Sequence, residues 1–220
     1  MTENPFSKEL ILAVATDDLA LVRLFLERGA DVNAKSGAGD TALIRAVQTN
    51  SLEMVRELLQ RGADVHARGS SGDTALLTAI EYGGHVEMMK LLLACGASID
   101  DRDRNGHTTL MRASLVPEAA RLLLDNGADV NEADKSGVTA LMTAVEREGH
   151  ACIRLLVDRG ADIDSKTNAG KTVFDYGSNS PQTQQLLEKI IEEKRHAIAL
   201  GRQQRLNQRA MSRPRPGARP

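Results

Sequence analysis

Short amphipathic segments follow one another in pairs along most of the chain. In one pair, Leu76, Leu77 and Ala79 mark the apolar side of a first helix, and residues 86–94 supply a second helix rich in Met and Leu. Apolar residues at helical spacing share one face, so each segment predicts a short amphipathic helix. Neither helix would persist alone in water, and neighbouring pairs must therefore pack their apolar faces together.

A five-residue phrase built on Gly-Ala-Asp-Val-Asn closes the second helix of each pair. It returns at steps of 33, 34, 31 and 33 residues, and its copies start at Gly29, Gly62, Gly96, Gly127 and Gly160. A glycine just past the last helical residue is typical of a helix end that needs a left-handed backbone. Self-similarity at this period predicts stacked units, each of which contacts mainly its neighbours.

A second phrase, Thr-Ala-Leu-x-x-Ala, opens the first helix of each pair. Residues 8–13 stand where the first copy belongs. The other copies begin at Thr41, Thr74, Thr108, Thr139 and Thr172. The copy at Thr108 is divergent, and the copy at Thr172 is decayed. The Thr hydroxyl accepts a hydrogen bond from an unpaired N–H at a helix start, which makes Thr a favoured N-cap. A glycine two residues before each Thr lets the chain reverse direction in a tight turn.

This order of hairpin tip, helix, turn and antiparallel helix resembles the ankyrin repeat family. The resemblance covers residues 5–187 and implies an all-α repeat solenoid of about six units, including degenerate end units. The family's usual Pro after the capping Thr is replaced, for example by Ala42 and Ala75, and its usual His by apolar residues such as Ile44. The altered phrase is similar to that of many bacterial ankyrin proteins, and the fold expectation is unchanged.

The expected repeat domain occupies residues 1–187, with units at residues 5–34, 35–67, 68–101, 102–132, 133–165 and 166–187. Two units break the period. The third has an extra residue around Gly83, and the fourth is two residues short between Ala113 and Leu123. We therefore expect a perturbed turn between the two helices of the fourth unit.

The chain beyond the repeats predicts a helix and then a tail. Ser180 followed by Pro181 is typical of a helix N-cap and first turn, so we expect a capping helix over residues 181–200. Gly201 is a candidate break in this helix. Residues 201–220 are rich in Arg, Gln, Pro and Gly and form the expected basic, disordered tail.

Composition and charge separate the repeats from the tail. The chain is 41% hydrophobic but only 2% aromatic, which suits thin layers of aliphatic side chains. The net charge of −2 hides an asymmetry, because residues 1–187 carry 19 basic and 27 acidic side chains, whereas residues 188–220 carry 9 and 3. The basic tail fits a solvated segment, an arm for nucleic acid or an acidic partner, or a segment attracted to the acidic repeats.

Motifs of catalysis, nucleotide binding and metal binding are not matched. Gly170, Lys171 and Thr172 look like the end of a phosphate-binding loop, but they occupy the turn and capping positions of a repeat, and the loop's first Gly is Ser165 here. No His or Cys spacing fits a metal site, and no nucleophile motif is present. We expect no cofactor and no enzymatic activity.

Few signals concern the cellular location. Cys95 and Cys152 lie far apart, which is compatible with a reducing compartment. The N-terminus lacks the basic start of a signal peptide, and no apolar run reaches membrane-spanning length. We expect a cytosolic monomer that makes no membrane contact, although export by a leaderless route would leave no sequence signal.

The resemblance implies that a partner protein binds the hairpin tips and the inner face of the first helices. The matching positions in this sequence are Lys35, Arg45, Arg68, Thr78, Glu81, Tyr82, Arg102, Arg104, Arg112, Lys135, Thr143 and Glu146. Tyr and Arg are enriched at interface hot spots. Our hypothesis is a contiguous anchor for an acidic partner surface, formed by Arg45, Arg68, Tyr82, Arg102, Arg104 and Arg112. The alternative is that charged tips only keep the protein soluble.

The sequence thus predicts a non-enzymatic interaction scaffold or regulatory adaptor that binds another protein through its tips and concave inner face. A rigid groove with preordered side chains loses little entropy on binding. The alternative is a nucleic-acid-associated adaptor that uses the Arg-rich C-terminal tail. The third interpretation of the sequence is an enzyme whose active site is assembled across units.

Overall fold

Helices in two layers account for most of the chain. The computed structural model describes residues 6–211, so the first five residues of the expected repeat domain and the end of the expected tail lie outside the described residues. The helices of the inner layer are α1 (Phe6–Ala15), α3 (Ala42–Gln48), α5 (Ala75–Glu81), α7 (Thr109–Arg112), α9 (Ala140–Glu146) and α11 (Val173–Tyr176). Those of the outer layer are α2 (Leu19–Glu27), α4 (Leu52–Gln60), α6 (Val86–Ala94), α8 (Pro117–Asp125), α10 (His150–Asp158) and α12 (Pro181–Met211).

The inner helices α1, α3, α5, α7 and α9 each pack against the outer helix of their own unit and against the next inner helix. Contacts run from α1 to α3, α5, α7, α9 and α11 in chain order, and outer helices also meet, for example α2 with α4 and α8 with α10. The prediction of an all-α repeat solenoid is confirmed.

The two repeated phrases set the ends of the helices. Thr41, Thr74, Thr108 and Thr139 precede inner helices, and each hydroxyl accepts the N–H three residues ahead, as in Ile44 N to Thr41 Oγ1 at 3.3 Å. The glycine that follows each of the first five outer helices has a φ between 83° and 95°, so the helix ends in the left-handed region.

The core is a series of thin aliphatic layers. The leucine of the opening phrase is fully buried in each full copy, at Leu43, Leu76, Leu110 and Leu141. Buried Met and Leu residues of the outer helices, such as Met54 and Leu92, belong to the same apolar cluster. Removing apolar surface from water stabilises a fold by about 25 cal/mol per Å². Stacking therefore provides the stability that single short helices lack.

The shortened fourth unit loses part of its inner helix. Helix α7 has four residues, whereas α3, α5 and α9 have seven. Four residues connect α7 to α8, and the Val116 N–H donates to the Ala113 carbonyl at 2.9 Å. Pro117 opens α8, a position where its missing N–H costs nothing. The two-residue deletion is therefore absorbed mainly by the inner helix.

The C-terminal helix is longer than the sequence suggested. Helix α12 continues to Met211, eleven residues beyond the expected end at residue 200, and passes through Gly201 without a break. The added segment consists largely of Arg, Gln, Leu and Ala, which have high helix propensity and outweigh the cost of about 1 kcal/mol for one glycine. Residues 201–211 are thus helical, and residues 212–220 lie outside the described part of the chain.

The backbones of two neighbouring hairpin tips lie close together at Gly137. Its φ is 80°, and a Cβ added there would lie 3.0 Å from the Asn168 N and the Thr167 Cα of the next tip. Gly170 has a similar φ of 76°, but a Cβ there would meet no atom within 4 Å. Substitutions at these two glycines therefore distinguish the effect of backbone conformation on stability from the effect of crowding between tips.

We predict that Gly137→Ala destabilises the protein more than Gly170→Ala. Both changes place a Cβ on a left-handed residue, which costs about 1–2 kcal/mol. Only Gly137→Ala also forces two tip backbones apart, which adds about 1 kcal/mol or more. Urea unfolding of both variants measures the difference. Equal losses would contradict the close packing of these tips.

A buried carboxylate joins the outer helices of the first two units. Glu57 on α4 accepts Arg23 Nε of α2 at 2.8 Å and Arg61 Nε at 3.0 Å. The hydrogen bond from Arg23, with the positive charges of both arginines, holds the pKa of Glu57 below its ordinary value of 4.5 despite the opposing effect of burial. Because the pKa falls on folding, the ionised carboxylate stabilises the native state above about pH 4.5, and this contribution is lost as the pH drops through the folded-state pKa.

We predict that Glu57→Gln lowers the free energy of unfolding at pH 7 by about 1–3 kcal/mol, the range for hydrogen bonds to charged groups. The difference from the parent protein shrinks as the pH falls below 4.5, the ordinary pKa of Glu57, and is lost below the folded-state pKa, where Glu57 is protonated in the native parent protein as well. Urea unfolding across this pH range tests the sign. Glu53→Gln, an exposed neutralisation on the same helix, serves as the control and leaves stability nearly unchanged. A pH-independent difference for Glu57→Gln would refute the assignment.

Candidate functional site

The inner layer presents one recurring surface position from every unit. It lies four residues after the start of each opening phrase, and we call it the inner column: Leu12, Arg45, Thr78, Arg112, Thr143 and Tyr176. Thr78 and Thr143 are only 4% and 9% exposed. Their hydroxyls donate to the carbonyls of Thr74 and Thr139 in their own helices. Thr78 therefore leaves almost no surface for a partner.

Basic side chains at the hairpin tips link neighbouring units. We call Lys35, Arg68 and Arg102 together the tip ladder. Lys35 Nζ donates to the Arg68 carbonyl at 3.1 Å, Arg68 Nη1 to the Arg102 carbonyl at 2.8 Å, and Arg102 Nη1 to the Ala133 carbonyl at 3.0 Å. The same Nη1 atoms of Arg68 and Arg102 also bond a carbonyl of their own turn, at Gly72 and Gly106. These cations hold successive tips together.

The ladder stops at Ala133, which has no donor side chain. Contacts in the reverse direction replace it, because Asn168 Nδ2 donates to the Lys135 carbonyl at 2.9 Å and the Asn168 N–H to the Ser136 carbonyl at 2.9 Å. Arg104 stands at the same tip position as Asn168 and likewise donates back to the Ser70 carbonyl. Tip residues that looked variable in sequence therefore also maintain the stack.

Several candidate arginines are paired with carboxylates inside the molecule. Arg112 forms ion pairs with Glu81 and, at 3.5 Å, with the side chain of Asp103. His107 Nδ1 lies 2.9 Å from the same Asp103 carboxylate. Arg102 pairs with Glu132, and Arg68 contacts Asp101 at 3.4 Å. Much of the positive charge of the predicted acidic-partner anchor is therefore balanced internally.

The remaining candidates keep more of their surface for a partner. Tyr82 is the C-cap residue that follows α5 and is 51% exposed, and Lys35, Arg104, Lys135 and Glu146 are also exposed. Arg45 is half-buried, with Gln48 Oε1 at 3.2 Å and the Asp40 carboxylate at 3.9 Å. These side chains belong to different units, Lys35, Arg104 and Lys135 at the hairpin tips and the others at the inner helices.

A hollow of about 290 Å³ lies on the concave face between the short helix α7, α9 and α11. Its lining residues include Arg112, Glu146, Arg147 and Tyr176. Burial raises the pKa of the Tyr176 hydroxyl, and the negative charges of Glu146 and Asp134 add to the effect. Tyr176 and Arg147 were not among the site residues predicted from the sequence, although they occupy the same repeat positions as the predicted Arg112 and Tyr82.

A larger groove of about 1080 Å³ lies at the N-terminal end of the concave face. Helix α1 forms one wall, and residues 31–38, which we call the first finger, form the other. The groove floor includes Ile11, Leu12 and Ala15 of α1. Leu12 is 66% exposed, the highest value among the large apolar side chains of the described residues. The groove was not predicted from the sequence, because the sequence does not distinguish Leu12 from the buried leucines of an amphipathic helix.

Metal ligands and reactive thiols are the groups of residues 6–211 that bear on chemistry. No group of three or more His, Cys, Asp or Glu side chains in this part of the chain is placed to hold a metal ion. Burial, with a contribution from Glu118, raises the pKa of the Cys152 thiol to about 11, so this thiol is protonated and a poor nucleophile at neutral pH. No helix within the described residues is long and apolar enough to cross a membrane.

A family profile described as ankyrin repeats in three copies matches residues 10–103 and 76–167. The chain belongs to the ankyrin repeat family. The matched region takes in the full opening phrases and most of the tips described above. The recognition made from the two repeated phrases is confirmed, and the concave surface is that of an ankyrin array.

A solved structure from Bdellovibrio bacteriovorus contains a chain similar to this one. It is described as the predatory endopeptidase Bd0816 in complex with the immunity protein Bd3460. The similarity has a TM-score of 0.74 and 30% sequence identity, and it covers 83% of this chain and 98% of the other. No curated protein sequence matches this ankyrin array.

We predict that Arg102→Met lowers the free energy of unfolding by about 1–3 kcal/mol, because it removes bonds to two carbonyls and the pair with Glu132. Lys135→Met removes the same charge from an exposed tip side chain and changes stability by about 0.5 kcal/mol or less. Urea unfolding of both variants checks this contrast. If both lose equally little, the tip ladder contributes nothing to stability.

Proposed function

We propose that this ankyrin array binds a partner protein through its concave face and blocks that partner, and that the partner is an endopeptidase. The supporting observation is the similarity over nearly the whole length of a chain from an endopeptidase–immunity protein complex. That chain is covered to 98% by a repeat stack, which leaves almost no room for a separate catalytic domain. We therefore equate it with the immunity protein of that complex.

The concave surface supports this proposal independently. Tyr82 and Arg147 are exposed and have no essential contact in the core, yet they belong to residue types common at interface hot spots. Two depressions lie on the concave face, one between α7, α9 and α11 and one at the N-terminal end. A rigid surface of this kind masks a partner by shape and charge complementarity without chemistry of its own, in a cytosolic monomer as the sequence suggests.

The test begins with capture of the partner from a lysate of the native host on the immobilised full-length chain, followed by mass spectrometry. We expect an endopeptidase, and we expect its activity to fall in proportion to added ankyrin protein until the two are equimolar. Tyr82→Ala combined with Arg147→Glu should weaken both binding and inhibition by about tenfold or more, the effect of losing a hot spot.

The matched control is Lys90→Glu on the outer helix α6. The Lys90 side chain is exposed and, among the described residues, forms an ion pair only with Glu87 of the same helix. It should bind like the parent. Capture of a protein that is not a hydrolase, or of one whose activity is unaffected, would reject the inhibitory role. Equal loss of binding in the Lys90→Glu control would reject the concave face as the binding surface.

A further inference from the structure

The first unit departs from the others at the inner column. In units two to five this position carries Arg45, Thr78, Arg112 and Thr143, which are polar and half-buried or buried. In the first unit it carries Leu12, which is 66% exposed. An end unit of a solenoid ordinarily presents polar side chains, because it has a neighbour on one side only. An exposed leucine in this end unit is therefore contrary to what solubility ordinarily requires.

Leu12 belongs to a continuous surface of helix α1. Lys8, Leu12 and Ala15 are spaced four and three residues apart, so they share one helix face, and all three are exposed. Ile11 borders this face, and all four line the N-terminal groove. Across the groove, the first finger contributes the small side chains of Ala34, Gly37 and Ala38, which leave the apolar floor accessible.

The groove is rigidly built. The Asp31 N–H donates to Ser7 Oγ at 3.2 Å, which ties the start of the first finger to α1. Asp31 Oδ1 accepts the Asn33 N–H at 2.9 Å and fixes the turn of the finger. Asn33 in turn bonds the next unit, where its Oδ1 accepts the Asp64 N–H at 2.7 Å. The walls are therefore preordered before any ligand enters, which lowers the entropy cost of binding.

The rim of the groove is positively charged although the repeat domain is acidic. Three cations line it, Lys8, Lys35 and Arg45, against the single carboxylate of Asp31. Lys35 Nζ bonds a neutral carbonyl, so its charge is not balanced by that contact. Arg45 lies 3.9 Å from Asp40, whose carboxylate already accepts two bonds from Ser70. The rim thus has a net positive charge around an apolar floor.

We infer that the N-terminal groove binds an acidic segment of the partner protein in which a large apolar side chain packs on Leu12 and flanking Asp or Glu side chains pair with Lys8, Lys35 and Arg45. This inference rests on the proposed function and names the partner chemistry for one part of the concave face. The chain's own residues 212–220 do not fit, because they carry three arginines and no acidic side chain. An apolar anchor within a ring of charges combines affinity with specificity.

The experiment uses a random peptide library displayed on phage, selected on the immobilised full-length protein, with the Leu12→Ser protein as the parallel selection. We expect peptides enriched only on the parent protein to combine Asp or Glu with Leu, Ile, Met or Phe. A synthetic copy of an enriched peptide should bind about tenfold or more weakly to Leu12→Ser and to Lys8→Glu combined with Arg45→Glu, and its affinity should fall as salt rises.

Leu21→Ser on the outer helix α2 is the matched control, because Leu21 is also exposed, at 40%, but lies outside the groove. It should bind the peptide like the parent, and urea unfolding should give similar stabilities for Leu12→Ser and Leu21→Ser. The inference is overturned if the same peptides enrich on both baits, if enriched peptides are basic, or if Leu12→Ser binds the peptide normally.

Two further results separate this inference from the proposed function. If Leu12→Ser captures the host partner with the parent's affinity while Tyr82→Ala with Arg147→Glu loses it, the groove inference fails and the proposed function stands. If the parent forms a dimer in light scattering that Leu12→Ser abolishes, the groove is occupied by a second copy of the chain, and the inference of an acidic partner segment is likewise overturned.

Discussion

Burial of the apolar faces shared by successive repeats is the interaction on which the other features depend. The inner helices α3 to α11 have four to seven residues, too few to persist alone in water. Leu43, Leu76, Leu110 and Leu141 place the same buried side chain in each full repeat. This packing sets the spacing of the units, and that spacing brings the tips close enough for side chains of one unit to reach the backbone of the next. Both the tip ladder and the concave surface are consequences of the stack.

The tip ladder changes how the positive charges at the hairpin tips are interpreted. A row of Lys and Arg on exposed turns looks like a binding site for an acidic partner when only the sequence is considered. In the folded chain, Arg68 and Arg102 each bond carbonyls of two successive turns and contact a carboxylate, at Asp101 and Glu132. Their geometry is fixed and their charge is partly balanced. Positive charge is better placed to act on a ligand at the N-terminal rim, where Lys8 and Lys35 form no ion pair with a carboxylate of the described residues.

The fold was predictable because its determinants are local and repeated. The capping Thr, the left-handed Gly and the buried Leu act within a few residues, and several copies make the period visible. The extent of α7 and α12 was less predictable, because it depends on how a deletion is distributed and on helix propensity beyond the last repeat. The candidate site was harder still. Whether Arg102 faces a partner or bonds Ala133 depends on the distance between two tips, and sequence carries no direct record of that distance. Likewise Leu12 is distinguished from Leu10 by exposure alone.

The position of the N-terminal groove has an energetic consequence for binding. In a linear stack each unit is stabilised by its neighbours, so an end unit is held on one side only. Helix α1 packs on α2 and α3, and beyond these contacts its exposed face carries Leu12 and Lys8. A ligand seated between α1 and the first finger contacts the first two units at once and supplies part of the packing that a preceding repeat would give. Since a ligand that binds only the native state stabilises it, occupation of this groove would stabilise the end unit first. Partner binding in this groove would therefore be thermodynamically linked to the order of the first repeat.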